Sequence, residues 1–229
     1  MEKLKDKTIV VAPMKINLAK NTHIFNEHSL IQAKISVLRD ENTPSSIFRK
    51  VVEEITILLA SDALSHLPLE DISVTTPICK TTGSKIAGKK MVLVPIIRAG
   101  LAMEPAMKAV VPQARTGFCG VYRDPDTSKP VPYYWKMPDD IGNRSVFILD
   151  PMLATGGSML YTIDRLKKEH HCKSIHLMSI IAAPEGVDLI QTLHPDVEMY
   201  IAQLDEGLNC DRYIVPGLGD AGDRIYGTK

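Results

Sequence analysis

The chain has 229 residues, of which 45% are hydrophobic and 24% charged, a composition typical of a soluble globule with a substantial core. Its 27 basic and 27 acidic residues cancel, and this balance disfavours bulk nucleic-acid binding, which requires excess cationic charge. The four cysteines form no Cys-x-x-Cys pair, and neither a membrane-length apolar run nor a signal peptide occurs, so we expect free thiols and a cytoplasmic protein.

The first half of the chain predicts an arm followed by alternating helices and strands. Residues 1–27 show only weak periodicity, and we expect an N-terminal arm or an edge element there. Apolar residues recur at helical spacing from Ser45 to Ala60. Strands are predicted over Ile72–Thr75 and Met91–Ile96, the second buried on both faces, and a helix is predicted from Arg98 through Met107.

The second half continues the alternation around a long hairpin. A strand near residues 117–122, a turn-rich linker and a returning strand predict a β-hairpin over residues 119–136. The next predicted elements are a strand over Val146–Leu149, a helix over Ser158–Lys168, a strand over Ile175–Ile181, a helix over Glu185–Leu193 and a strand over Val197–Ile201. This order predicts an α/β protein with a mostly parallel sheet flanked by helices, in a single domain spanning residues 1–229.

A loop rich in small residues joins the strand at Val146–Leu149 to the following helix. It begins at Asp150 and ends at Ser158, so it lies at the carboxyl end of a strand and the amino end of a helix, where free N–H groups favour an anion. No lysine follows Gly157 and this loop contains no Gly-x-Gly-x-x-Gly, so it is neither a nucleotide-triphosphate P-loop nor a dinucleotide fingerprint. The segment predicts a cradle for a single phosphate; the alternative is a glycine-rich turn without a ligand.

This loop resembles the phosphoribosyl-pyrophosphate signature of type I phosphoribosyltransferases. The resemblance implies that Asp150 holds the ribose hydroxyls and that the loop holds the 5′-phosphate. Pro151 stands where many members have a second acid, although the uracil-specific branch resembles this chain in having Asp-Pro here. The residues implied in donor binding are Asp150, Pro151, Met152, Leu153, Ala154, Thr155, Gly156, Gly157 and Ser158.

Two arginines follow strands that are predicted to end near this loop. Arg98 stands after Ile96-Ile97, and its planar fork suits a diphosphate, although alone it is better explained by a surface salt bridge. Arg123 opens the turn of the hairpin, and the alternative there is a solvated arginine paired with Asp124 or Asp126. The resemblance implies that both arginines contact pyrophosphate and act with Asp150 as catalytic residues, and that the loop at Arg98 carries a cis non-proline peptide.

The C-terminal segment, residues 207–229, combines many glycines with interleaved apolar residues and predicts an ordered binding loop. Fixed backbone N–H and C=O groups can read the edge of uracil and reject cytosine. The sequence from Tyr213 to Arg224 resembles the uracil loop of uracil phosphoribosyltransferases. The residues implied in uracil binding are Tyr213, Ile214, Gly219, Asp220 and Ala221.

The resemblance extends from His28 to the C-terminus and implies a type I phosphoribosyltransferase fold with a protruding hairpin and a C-terminal base-binding hood. It also implies formation of UMP from uracil and phosphoribosyl pyrophosphate, with Mg²⁺ held through the substrate and water. Asp220 is implied to contact the donor directly or through magnesium and water, and a homodimer or homotetramer is expected. The alternatives are a ligand-sensing regulator on the same fold and a transferase for a purine. A metal cluster of His170, His171, Cys172 and His176 is a weaker interpretation than helix capping.

Overall fold

A computed structural model describes residues 16–123 and 130–228 of the chain, except for the side chain of Arg123. The α-helices are α1 Ser29–Arg39, α2 Ser45–Ala63, α3 Glu104–Val110, α4 Gly157–His170, α5 Pro184–Leu193 and α6 Ala221–Tyr226. The first strands are β1 Thr22–Ile24, β2 Leu69–Thr75, β3 Lys80–Ile86, β4 Val92–Ile97, β5 Arg115–Thr116, β6 Phe118–Arg123 and β7 Pro130–Lys136. The remaining strands are β8 Ser145–Leu149, β9 Met152–Leu153, β10 Ser174–Ala182, β11 Glu198–Leu204, β12 Gly207–Leu208 and β13 Ile214–Val215.

The main sheet has the strand order β1-β11-β10-β8-β4-β6-β7, with β5 beside β4 and β9 beside β10. All of its pairs are parallel except β6 with β7, which are antiparallel. The prediction of a mostly parallel sheet with a β-hairpin is therefore confirmed. The edge element expected near the N-terminus is β1, whereas residues 1–15 lie outside the described part.

Side chains of the central strands alternate between two apolar layers. On one side, Leu93 and Phe147 pack with α1, α2, α3 and α6. On the other side, Val94 and Ile148 pack with α4 and α5. Covering both faces explains why β4 and β8 consist of nearly uninterrupted apolar residues. Because both faces are covered, a ligand can approach these strands at their ends, and open α/β sheets bind ligands at the carboxyl ends of their strands.

Several predicted elements differ in extent. The helix predicted over Arg98–Met107 is a 3-10 turn at Ala99–Ala102 followed by α3, which carries Pro105 in its first turn. A Cβ at Gly100 would lie 2.1 Å from the carbonyl oxygen of Leu149, so this turn packs its backbone against β8. The elements that were not predicted from the sequence are α1, β3, β5, β9, β12, β13 and α6.

None of the helices in the described ranges is long and apolar enough to cross a membrane. Within those ranges no cluster of three or more His, Cys, Asp or Glu side chains is arranged to hold a metal. His170 ends α4 and His171 is its left-handed C-cap with φ 55°, which favours the capping interpretation of this histidine pair.

Candidate active site

A cavity of about 620 Å³ opens at the carboxyl ends of β4 and β8. The hairpin of β6 and β7 forms one wall and the C-terminal segment forms another. Nine residues that the sequence analysis selected line it: Arg98, Asp150, Met152, Ala154, Ser158, Tyr213, Gly219, Asp220 and Ala221. The fold thus brings together three segments that are distant in sequence.

Other selected residues do not line this cavity, and they are Pro151, Leu153, Thr155, Gly156, Gly157 and Ile214. The carbonyl of Pro151 accepts hydrogen bonds from the N–H groups of Ile180 and Ile181 at 3.1 and 3.0 Å. Leu153 is fully buried, and Ile214 is 4% exposed. The backbone conformation of this loop is thus tied to β10 even where its side chains face the core.

Asp150 lies directly after β8, and its main chain is held by β10. Its N–H donates to the carbonyl of Met178 at 3.3 Å, and its carbonyl accepts from Ser179 Oγ at 2.8 Å. One carboxylate oxygen accepts from the N–H of Met152 at 3.3 Å. These contacts fix the start of the loop and place the carboxylate at the wall of the cavity.

Gly156 begins α4 from a left-handed conformation with φ 81°, which favours glycine. A Cβ at this position would also approach Leu189 Cδ2 to 2.9 Å. In the described part of the chain no side chain caps this end of α4, so its first N–H groups face the loop without a side-chain acceptor. The arrangement is suited to an anionic group beside Ser158.

Arg98 follows β4 through a cis peptide bond with Ile97. Its Nη2 donates to Asp223 Oδ1 at 3.2 Å and its Nη1 to Thr228 Oγ1 at 3.4 Å. The hydroxyl of Tyr226 donates to the carbonyl of Arg98 at 3.1 Å. Burial raises the pKa of Tyr226, so its hydroxyl remains a donor near neutral pH.

The other predicted arginine, Arg123, ends β6 opposite Pro130 of β7. The position of its side chain lies outside what the structure describes, as do Asp124 and Asp126. Its neighbours Val121 and Tyr122 line the cavity. The pyrophosphate contact that the resemblance implies for Arg123 therefore stays a prediction.

The loop between β11 and α6 is fastened by a buried ion pair. Arg39 Nη1 and Nη2 donate to the two carboxylate oxygens of Asp205 at 2.9 and 2.5 Å. Arg39 Nη1 also donates to the carbonyl of Gly217 at 2.9 Å, while the N–H of Gly217 donates to Asp205 at 2.9 Å. Both polar groups of Gly217, which has φ 68°, are thus satisfied by one pair of side chains.

A second arginine fastens the loop on its other side. Arg224 of α6 donates to the carbonyl of Leu218 at 3.0 Å and to the carbonyl of Leu38, and its guanidinium lies 4.4 Å from the ring of Phe48. Asp220 caps α6 by accepting from the N–H of Asp223 at 2.9 Å. These contacts order the segment from Gly217 to α6, as the sequence analysis expected of a binding loop.

Nine further residues that were not predicted from the sequence line the cavity: Ile96, Ile97, Ala99, Val121, Tyr122, Tyr133, Asp211, Arg212 and Gly222. Most adjoin selected residues, so proximity in sequence was an available signal. Tyr133 on β7 was not detectable in this way, because it reaches the cavity only through pairing of the hairpin. Burial raises the pKa of its hydroxyl, which keeps it protonated near neutral pH.

The cavity therefore juxtaposes a carboxylate, an amino-terminal helix end, a guanidinium and a wall of ordered backbone. Such a site can hold a phosphorylated sugar with a second anionic group beside a flat polar ring. The side chains of Asp150, Asp211 and Asp220 supply carboxylate oxygens to the lining of this cavity. Hydroxyl-binding and anion-binding groups are thus present together.

A protein-family model described as uracil phosphoribosyltransferase matches residues 25–228. A protein named uracil phosphoribosyltransferase from Finegoldia magna is 54% identical over 203 residues, covering 89% of this chain and 97% of that protein. A protein of the same name from Geobacillus kaustophilus is 52% identical over 203 residues, with the same coverage of 89% and 97%.

Among solved structures, the AQ2163 protein from Aquifex aeolicus superposes with a TM-score of 0.84 and 36% sequence identity. The similarity covers 90% of this chain and 99% of that one. The range matched by the family model includes every segment that lines the cavity.

Proposed function

Because this chain belongs to the uracil phosphoribosyltransferase family, we propose that its cavity joins N1 of uracil to C1′ of phosphoribosyl pyrophosphate, forming UMP and releasing pyrophosphate. The observation that carries this proposal is the meeting of the Asp150 loop, Arg98 and the Gly219–Ala221 segment in one cavity. Each segment has the chemistry that one part of the two substrates requires.

The residues divide between the parts of the donor. Asp150 accepts the ribose hydroxyls, and the loop from Ala154 to Ser158 at the start of α4 holds the 5′-phosphate. Arg98 and Arg123 bind the pyrophosphate group. Pro151 supplies no carboxylate, but its carbonyl anchors the loop to β10, so one acid contacts the ribose from this segment.

Uracil is recognised by the backbone from Ile214 to Ala221, with Tyr213 beside it. The N–H of Ala221 donates to the sulfur of Met152 at 3.4 Å, which is a weak acceptor that a uracil carbonyl can replace. The ordered Gly217 turn fixes the directions of the neighbouring backbone groups. Cytosine presents the opposite pattern at two ring positions and leaves polar groups unpaired.

Catalysis follows from position and electrostatics. The oxocarbenium-like transition state carries positive charge on the ribose ring and negative charge on the departing pyrophosphate. Asp150 faces the first and Arg98 the second, and hydrogen bonds to the main-chain carbonyls of both residues hold their backbones in place. No covalent nucleophile is required.

We also propose Mg²⁺ as the cofactor. The described residues contain no cluster of three carboxylate, histidine or cysteine side chains that could hold a metal alone, while Asp150 and Asp220 offer oxygen ligands at the cavity. Substrate oxygens and water would supply the remaining ligands, with Asp220 as the protein contact. When bound, the ion neutralises charge on the pyrophosphate.

A cytoplasmic homodimer or homotetramer is part of the same proposal. The hairpin of β2 and β3 stands outside the main sheet and exposes Leu69, Ile78 and Ile86 at 64%, 91% and 44%. Exposed apolar side chains of this kind are commonly covered in a subunit interface. Light scattering of the purified protein measures the number of subunits.

The reaction is tested by incubating the protein with phosphoribosyl pyrophosphate, Mg²⁺ and either uracil, cytosine, hypoxanthine or adenine, and by quantifying nucleotide and pyrophosphate together. Equal amounts of UMP and pyrophosphate with uracil alone are expected. Asp150→Asn should lower kcat about 100-fold, whereas Asp71→Asn on exposed β2 should not. Donor binding without product from any base would favour a ligand-sensing regulator, and product from a purine would contradict the assignment of the base loop.

A further inference from the structure

Three side chains near the C-terminus contact Arg98. Asp223 and Thr228 contact its guanidinium, and Thr228 Oγ1 in turn donates to Asp223 Oδ1 at 2.6 Å. Tyr226 contacts its carbonyl. Both the side chain and the main chain of Arg98 are therefore held by α6 and the residues that follow it.

The side chain of Asp223 is 14% exposed, whereas that of Arg98 is 53% exposed. A long arginine side chain with this exposure samples many rotamers unless a partner fixes it. Asp223 is the more enclosed member of the pair and sits on a helix, so it acts as the fixed point. Arg98 retains donors that the contacts with Asp223 and Thr228 do not use, because a guanidinium has five N–H groups.

The same helix contacts the other two parts of the cavity. Its first residue, Ala221, lies in the base loop and donates to Met152 in the phosphate-side loop. Arg224 of this helix contacts the carbonyl of Leu218 and the ring of Phe48, which ties α6 to the base loop and to α2. Because α6 spans less than two turns, a shift at Ala221 is transmitted to Asp223 within the same rigid element.

We propose that Asp223 is a positioning residue for Arg98 and that α6 thereby couples the binding of uracil to the binding of pyrophosphate. The inference rests on the proposed function. Uracil bound at Ala221 restricts the motion of α6. Through Asp223, α6 then holds the guanidinium of Arg98 in the orientation that binds pyrophosphate. Asp223 also brings a negative charge near the proposed pyrophosphate site. Solvent and salt around the exposed Arg98 side chain screen the repulsion between Asp223 and pyrophosphate, so the effect of Asp223 on the orientation of Arg98 dominates.

Coupling can be measured without turnover, because uracil and pyrophosphate do not react with each other. Magnesium pyrophosphate is titrated calorimetrically into the protein with and without saturating uracil. We expect uracil to tighten pyrophosphate binding about 5-fold or more in the wild type. In Asp223→Ala the ratio should fall to about one, and Asp223→Asn should recover part of it, because the amide oxygen can still accept from Arg98 and Thr228.

Kinetics separate positioning from general damage. In Asp223→Ala, kcat/KM for phosphoribosyl pyrophosphate should fall about 10-fold, while the dissociation constant of uracil measured without donor or pyrophosphate stays within about 2-fold of the wild type. Glu53→Gln is the control, since Glu53 forms an ion pair on α2 with the exposed Lys50, at a distance of 3.6 Å, away from the cavity. Thermal unfolding of each variant reports whether the fold is retained.

Two results would overturn the inference: no coupling in the wild type, or coupling that survives Asp223→Ala. A third result would also contradict it: weaker binding of uracil without pyrophosphate together with a lower melting temperature, because that pattern indicates a loosened loop. Failure of the proposed function is distinguished by the wild type, which would then form no UMP. Wild-type turnover with unchanged coupling in Asp223→Ala rejects the inference alone.

Discussion

The ion pair of Arg39 with Asp205 is predicted to be the strongest single fastening of the base loop. The side chain of Asp205 is 1% exposed and that of Arg39 is 25% exposed. Arg39→Ala leaves a buried carboxylate with the N–H of Gly217 as a remaining donor. Breaking a buried pair typically costs about 3–5 kcal/mol, and access of water to the position of Arg39 favours the lower end.

We therefore expect Arg39→Ala to reduce the free energy of unfolding by about 3 kcal/mol and the melting temperature by about 6–12 °C. Arg39→Lys should have a smaller effect, because a single ammonium group cannot reproduce the planar two-oxygen contact and the contact to Gly217. Since Gly217 lies between the proposed uracil contacts at Ile214 and Gly219, KM for uracil should rise more than KM for phosphoribosyl pyrophosphate.

Denaturant unfolding monitored by circular dichroism measures the stability change, and steady-state kinetics measure the two KM values. Asp205→Asn changes the other member of the same ion pair, and Glu169→Gln is the control at a surface ion pair. Glu169 forms an exposed ion pair with Arg165 at 2.7 Å, so its replacement should cost about 0.5 kcal/mol or less. A loss below about 1 kcal/mol in Arg39→Ala would refute the reasoning, because the pair would then behave as a surface ion pair.

Three further predictions concern backbone conformation and thiol accessibility. Gly156→Ala should lower stability by about 1–3 kcal/mol and weaken donor binding, because its φ of 81° and the approach to Leu189 both oppose a side chain; an unchanged midpoint of unfolding would count against this. Arg212→Gly and His171→Gly should each raise stability by about 0.5–1 kcal/mol, since both residues have a left-handed backbone with φ 63° and 55°, and a stability loss in His171→Gly would contradict the argument. Of these two residues, Arg212 lines the cavity and His171 does not, so KM values should change in Arg212→Gly and stay unchanged in His171→Gly. Burial raises the pKa of the Cys172 thiol to about 11 and that of the Cys119 thiol above its usual value. Mass spectrometry after alkylation at pH 8 should therefore show two adducts in the native protein and four after unfolding. Four adducts on the folded protein would contradict the burial. The exposed pair is Cys79 and Cys210, and the buried pair is Cys119 and Cys172.

Local sequence signals were sufficient for the central sheet and α2. Runs such as Val92–Ile96 are apolar on both faces because helices cover both sides of the sheet, so they stand out without any knowledge of their partners. The helix predicted over Ser45–Ala60 is present and continues to Ala63. Its apolar period reflects contact with one face of the sheet, which a window of a few turns captures.

Other elements were missed for different reasons. In α1 the buried residues Ile31, Ile35 and Leu38 have helical spacing, so a signal was available and was not used. Strand β3 has no comparable signal, because its residues are almost all exposed and its hairpin with β2 lies apart from the main sheet. Strand β9 has two residues and exists through its pairing with β10.

The sequence by itself determined the chemistry of the cavity: the carboxylate and small-residue loop after β8, the arginine after β4, and the glycine-rich segment near the C-terminus. These features are local, because a strand end, a turn and a helix start are encoded within about ten residues. Tertiary structure alone decided how they are held. Arg39 and Asp205 are 166 positions apart in the sequence, and Arg98 and Asp223 are 125 positions apart. Such pairs form only when the sheet and its covering helices bring distant segments to the same edge.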